Sequence, residues 1–247
     1  MLLCFIIDHY CSKIKRNMSF IVKNTTFPGL LDLISPHSCR GCGRIGNALC
    51  DCCKNNIINQ LKKYCPNCKK VNPTGKCPNC PDLPPIFIVG PRDELIGTLI
   101  QDLKFHSVRA LATPIAEIIQ HTLPKIDQKL IIVPLPTISK HIRERGLDHT
   151  LLIAKKLSKY YPNSSVQKIL IRGQNTIQVG TDETTRVKQA SRAYKINPKA
   201  KISSSVTYLL LDDVWTTGAS MKSALKKLRE AGAQNILISI LAVNRLN

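Results

Sequence analysis

The sequence predicts an α/β protein: a parallel sheet covered by helices, preceded by a small cysteine-rich module. Three observations carry this expectation. Beyond residue 86, short continuous apolar runs alternate with stretches of helical apolar spacing, the pattern of a parallel sheet buried on both faces. Nine of the eleven cysteines fall between Cys39 and Cys80. A chain of 247 residues that is 43% hydrophobic has enough apolar material for one sizeable core and a small satellite.

The elements are read in order. Residues 93–104 and 108–122 have helical apolar spacing. KLIIVPLP at 129–136 is a buried strand ended by proline, and 148–161 is helical. VTYLLLDD at 206–213 is a second buried strand. ASMKSALKKLREAGA at 219–233 is a helix closed by Gly232, and NILISILAV at 235–243 is a third strand. The proline-rich CPDLPPIFIVG at 80–90 marks a boundary. The expected division is 1–27 as an N-terminal extension, 28–85 as the cysteine-rich module and 86–247 as the sheet domain.

The formal charge is +20. It is spread along the chain, and residues 140–201 alone hold 14 basic against 4 acidic side chains. Such a balance attracts phosphorylated small molecules or nucleic acid, where a bland reading would be a lysine-rich solvated surface. In MLLCFIIDHYCSKIKRN the apolar run precedes the basic cluster, the reverse of a secretory signal. No apolar stretch approaches the roughly 20 residues that span a bilayer. The expectation is a cytoplasmic protein without membrane insertion, with Met1 and Met18 both open as the start.

The cysteines form four Cys-x-x-Cys knuckles: CRGC at 39–42, CDCC at 50–53, CPNC at 65–68 and CPNC at 77–80. One knuckle brings two thiolates to a tetrahedral ion, and two complete a closed structural zinc site. A disulfide framework would need an oxidising compartment, so zinc is expected. Sequential pairing gives Cys39, Cys42, Cys50 and Cys53 for one ion and Cys65, Cys68, Cys77 and Cys80 for another; the intervals also allow interleaved pairing. Cys52 is out of register and reads as a bystander, and Cys4 and Cys11 stand alone.

The stretch YLLLDDVWTTGAS at 208–220 poses the chemical question, because carboxylates are costly beside a buried strand. In a parallel sheet, ligands sit at the carboxyl ends of strands, and Asp212 and Asp213 lie at one such end. Thr216, Thr217, Gly218, Ala219 and Ser220 form the turn into a helix, whose N–H groups, hydroxyls and dipole make an anion cradle. Carboxylates do not bind phosphate, so they must bind something attached to it. Two vicinal ribose hydroxyls fit, each donating to a carboxylate. A magnesium site of the kind found in receiver domains, or a solvated pair, is the competing reading.

The same stretch resembles the 13-residue PRPP-binding motif of type I phosphoribosyltransferases. The chain from about Leu30 onward resembles the ComF family of competence-associated proteins, in the cysteine-rich module, LKF at 103–105, VPLP at 133–136, RERGLDH at 143–149 and the segment 171–194. RERGLDH matches the family's Arg-x-Arg-Gly-Phe-Asn-Gln, and the later segment places Gln178, Arg186 and Gln189 on its polar positions. Leu147, Asp148, His149 and Gln189 depart from the pattern, which is expected to leave the PRPP motif untouched.

The resemblance implies a type I phosphoribosyltransferase-like fold behind a double zinc ribbon. It implies PRPP bound with magnesium, Asp212 and Asp213 as the catalytic carboxylates, and Thr216 through Ser220 on the 5-phosphate. Lys140, Arg143 and Arg145 in PTISKHIRERG offer pyrophosphate contacts or a solvated face. Lys104 joins them by resemblance alone, and Arg186 falls in a polar stretch, residues 174–192, that matches a lid. His106 and His141 read equally as surface residues. The resemblance further implies a role in DNA uptake, with single-stranded DNA and a helicase-type competence partner. An active enzyme would be a phosphoribosyltransferase; the alternative is a non-catalytic DNA-handling factor. No acceptor base is named by the residues, and 5% aromatics argue against a stacking platform for single strands.

Overall fold

The structure, a computed structural model, describes residues 37–61, 63–92, 94–173 and 194–244, with the side chains of Glu94 and Lys140 outside the description. The chain divides between Asn56 and Ile57 into two compact units.

In the first unit, β1 (His37–Ser38) pairs antiparallel with β2 (Ile45–Gly46), and α1 (Asp51–Asn59) begins. The turn after Cys42 passes through Gly43 at φ 74°, a left-handed position that costs glycine little.

Among the described residues of the second unit, five strands form one parallel sheet: β3 (Ile86–Pro91), β4 (Leu130–Pro134), β5 (Ser164–Val166), β8 (Thr207–Trp215) and β9 (Asn235–Val243), in the order β3-β9-β8-β4-β5. The helices between them are α2 (Glu94–Phe105), α3 (Ala112–Thr122), α4 (Ser139–Arg145), α5 (His149–Leu157) and α6 (Ala219–Glu230). A separate antiparallel pair is made by β6 (Leu170–Arg172) and β7 (Tyr194–Ile196). β4 is apolar and buried throughout, and β8 is buried from Thr207 to Leu211 and mostly apolar there. Such strands have no polar face to offer solvent, which puts β8 in the middle of the sheet. Each buried aliphatic side chain there contributes roughly 1.5–3 kcal/mol.

The α/β class and parallel sheet agree with the sequence expectation. The differences are local. β8 starts one residue later and runs two residues further than expected, to Trp215, with both aspartates within the strand as expected. Arg109–Leu111 make a 3₁₀ turn before α3, and α5 ends at Leu157 in another, Ser158–Tyr160. PTISKHIRERG, given no element from the sequence, contains the seven-residue α4, closed by Gly146 in the left-handed region. The proline-rich boundary stretch also carries β3, the edge strand: Pro84 and Pro85 precede it and Pro91 is its last residue, where a missing N–H costs the ladder little. Cys65, Cys77 and Cys80 are buried in one cluster with Ile86, Ile131, Tyr208, Leu210 and Ile236 of the sheet.

Candidate functional site

The cysteines pair sequentially. The sulfurs of Cys39, Cys42, Cys50 and Cys53 all lie within 4.8 Å of one another, and so do those of Cys65, Cys68, Cys77 and Cys80. Close pairs stand at 3.7 Å (Cys42 and Cys50), 3.9 Å (Cys65 and Cys80) and 3.4 Å (Cys68 and Cys77). Four sulfurs about 2.3 Å from one tetrahedral ion stand about 3.8 Å apart, so either quartet could hold zinc, and together they fit a double zinc ribbon. All eight are free thiols. Cys52 belongs to neither quartet, as its position out of register with the knuckles leads one to expect.

The local backbone prepares thiolates. Burial pushes Cys39 up, but the N–H groups of Cys50, Cys42 and Gly41 outweigh it and bring the thiol down to about 6. In the second quartet the N–H of Lys70 leads in bringing Cys68 down to about 7, whereas burial pushes Cys65 up to about 12. A thiolate crowded by further thiols is the arrangement that a divalent cation neutralises.

The second site lies at the carboxyl end of β8. Asp213 is only 7% exposed. One of its oxygens, Oδ2, accepts from His149 Nε2 at 2.9 Å and pairs with Lys104 Nζ. Lys104 comes from the last turn of α2 and His149 is the first residue of α5. Burial opposes the Asp213 charge, but His149 and Lys104 outweigh it and hold the carboxyl well below the usual range. Asp212 is partly buried, and its Oδ1 accepts from the Asp213 N–H at 2.9 Å. Burial first, then the neighbouring Asp213 charge, push Asp212 up to about 8. At neutral pH the pair therefore carries close to one negative charge, which Lys104 offsets. A site so balanced can approach a polyanion that two bare carboxylates would repel.

The turn into α6 follows. Gly218 sits at φ 74° and precedes α6 without a side-chain cap, while Thr216, Thr217, Ala219 and Ser220 are exposed. The Thr217 hydroxyl accepts from Ala219 N–H at 3.4 Å. Tyr194 of β7 stands behind this turn: burial raises its phenol, the Asp212 charge adds to that, and a hydrogen bond with Ser220 and the Arg172 charge oppose it. Arg172 lies over the Tyr194 ring, 5.3 Å from its centre.

Asp212 and Asp213 stand near the end of β8, Thr216–Ser220 lead from it into α6, and the candidate Lys104 pairs with Asp213. Arg145 goes elsewhere: it lies 4.6 Å over the exposed Phe105 ring, and its carbonyl accepts from the Ser107 hydroxyl at 3.0 Å. Arg143 is exposed on α4. His106 is exposed and paired with Asp102, away from Asp213. The lid segment 174–192, with Gln178, Arg186 and Gln189, lies outside the described residues. The expectation that the departures leave the motif untouched is corrected at His149, which bonds directly to Asp213. Tyr194 and Arg172 were also missed as neighbours of the site.

Fold and sites define a parallel α/β protein that carries a carboxylate pair on its central strand and two four-cysteine clusters. The chain is similar to Competence protein F of Haemophilus influenzae, at 27% identity over 219 residues, which cover 81% of this chain and 93% of that protein. No protein-family model matches it. The resemblance to the ComF family read from the motifs thus meets a relative of that kind over most of its length. Among the described residues no helix is long and apolar enough to cross a membrane.

Proposed function

We propose that the carboxyl end of β8 and the turn into α6 form a PRPP site, in a protein with a competence-related role. The observation that carries this reading is the unequal aspartate pair, with Asp213 clamped by Lys104 and His149 beside an uncapped helix start. Asp212 and Asp213 take the ribose hydroxyls: an ionised carboxylate only accepts, while a protonated one also donates. Thr216, Thr217 and the N–H groups of Gly218, Ala219 and Ser220 take the 5-phosphate. Lys104 faces the diphosphate, with Lys140, Arg143 and Arg186 as the remaining candidate cations. With an acceptor present, the bond from the ribose to the diphosphate breaks and one to the acceptor forms, and the protein contributes position and charge.

Magnesium belongs to this reading as an ion carried by the diphosphate. The carboxylates do not suit direct coordination as they stand, because Asp213 gives one oxygen to both Lys104 and His149 and Asp212 is held up to about 8. Zinc is structural in this reading, since four thiols leave no open position.

The second reading is a non-catalytic factor that handles single-stranded DNA beside a helicase-type partner. The 14 basic against 4 acidic residues of 140–201 favour it, as does the name of the relative, Competence protein F. Turnover separates the two: release of inorganic pyrophosphate from PRPP with candidate acceptors supports an enzyme. DNA binding that survives Asp212→Asn with Asp213→Asn, with no turnover under any acceptor, supports the second.

A further inference from the structure

We propose that His149 is a positioning residue of the carboxylate site, fixing Asp213 in the orientation in which it meets a ribose hydroxyl. This inference rests on the PRPP reading above and adds a residue to it.

The argument begins with the helix start. Asp148 is extended, at φ −92° and ψ 92°, and its Oδ1 accepts from Leu151 N–H at 3.2 Å. That cap fixes where α5 begins and makes His149 its first residue. α5 packs against β4 and β8, so the imidazole lies beneath the end of the central strand. Its Nε2 meets Asp213 across 64 residues of sequence. Because a carboxylate only accepts, Nε2 is the donor.

The other ring nitrogen decides between roles. His149 Nδ1 is buried and has no hydrogen-bond partner, and the side chain is 5% exposed. A buried polar atom left unpaired costs stability. As a filler of the core, His149 is therefore a poor choice, since an apolar ring would fill the space without that cost. Its one polar tie is to Asp213.

Lys104 already neutralises Asp213, so a second donor is not needed for charge. It is needed for orientation. An ammonium on a four-carbon stem is a mobile point charge, whereas an imidazole anchored in a capped helix start has a fixed direction. Two donors on one oxygen leave the carboxylate little freedom to turn.

The test uses the full chain, PRPP calorimetry, and thermal melting followed on Trp215, the single tryptophan. His149→Gln retains a donor and should bind PRPP within about threefold of wild type. His149→Phe retains the ring volume without a donor; it should melt lower than wild type, because Asp213 loses a stabilising donor, yet at a temperature where it is folded it should bind PRPP roughly ten- to a hundredfold more weakly, the effect of one hydrogen bond to a charged group. A Phe variant that is folded and binds as wild type does overturns the inference. Should the Phe variant not fold, protein labelled with ¹⁵N-histidine provides the reading: the His149 Nε2 signal should move on Asp213→Asn, and an unmoved signal overturns the inference. Wild-type protein that does not bind PRPP overturns the ligand reading beneath it, which is distinct from a wild type that binds and a Phe variant that binds equally.

Discussion

The indole of Trp215 lies so close to Gly218 that a Cβ at residue 218 would stand 2.2 Å from Trp215 Cζ2. The ring is 3% exposed, and the glycine holds φ at 74°. Residue 218 is thus constrained twice, by backbone conformation and by space. Its role is to turn the chain from β8 into α6 while Trp215 seals the turn from below.

Gly218→Ala should therefore lower stability by at least about 1–2 kcal/mol from the left-handed backbone alone, with the ring displacement added. It should also weaken PRPP binding tenfold or more, because the cradle N–H groups belong to this turn. Trp215 fluorescence in urea and a PRPP titration check both. A variant that is as stable as wild type would show that the turn tolerates a side chain.

The unequal aspartates predict a pH dependence. Asp212 is raised from an ordinary 3.8 to about 8, so between those values the folded protein keeps a proton that the unfolded chain releases. Stability then falls as pH rises from about 4 to about 8, and the loss is complete above that. Asp212→Asn cannot ionise. Its melting temperature should gain on wild type through that window and hold a constant lead beyond it. Parallel melting curves from pH 4 to 9 would contradict the assignment.

The two cysteine quartets should be unequal in effect. Cys65, Cys77 and Cys80 are buried with the sheet, while the quartet from Cys39 to Cys53 belongs to the other unit. Cys77→Ser should lower the Trp215 melting transition by roughly 5 °C or more, and Cys42→Ser should leave it nearly in place. Metal analysis should show the loss of one zinc in each. Equal shifts in the two variants would mean that the sheet does not depend on its own quartet.

What the sequence made legible was local. Apolar runs announced β4, β8 and β9, four knuckles announced cysteine clusters that could hold zinc, and DDVWTTGAS announced a strand end and the turn into a helix. The knuckle pairing was not legible, because Cys-x-x-Cys intervals allow two solutions and only the folded distances choose between them. His149 was legible only as a departure from a family pattern: its partner, Asp213, lies on another element, and packing of α5 on β8 brings them together. Arg145 has the charge for a phosphate but is seated on Phe105, a contact that no local spacing encodes. β3 was hidden because prolines flank it on both sides.

The most direct test of the central claim is a calorimetric titration with PRPP and magnesium, with ribose 5-phosphate for comparison, on wild type and on Asp212→Asn with Asp213→Asn. The account predicts saturable PRPP binding by wild type and none by the double variant, with the variant still folded and still holding its zinc. Equal PRPP affinity in the two proteins, or no binding by a folded, zinc-loaded wild type, would contradict it.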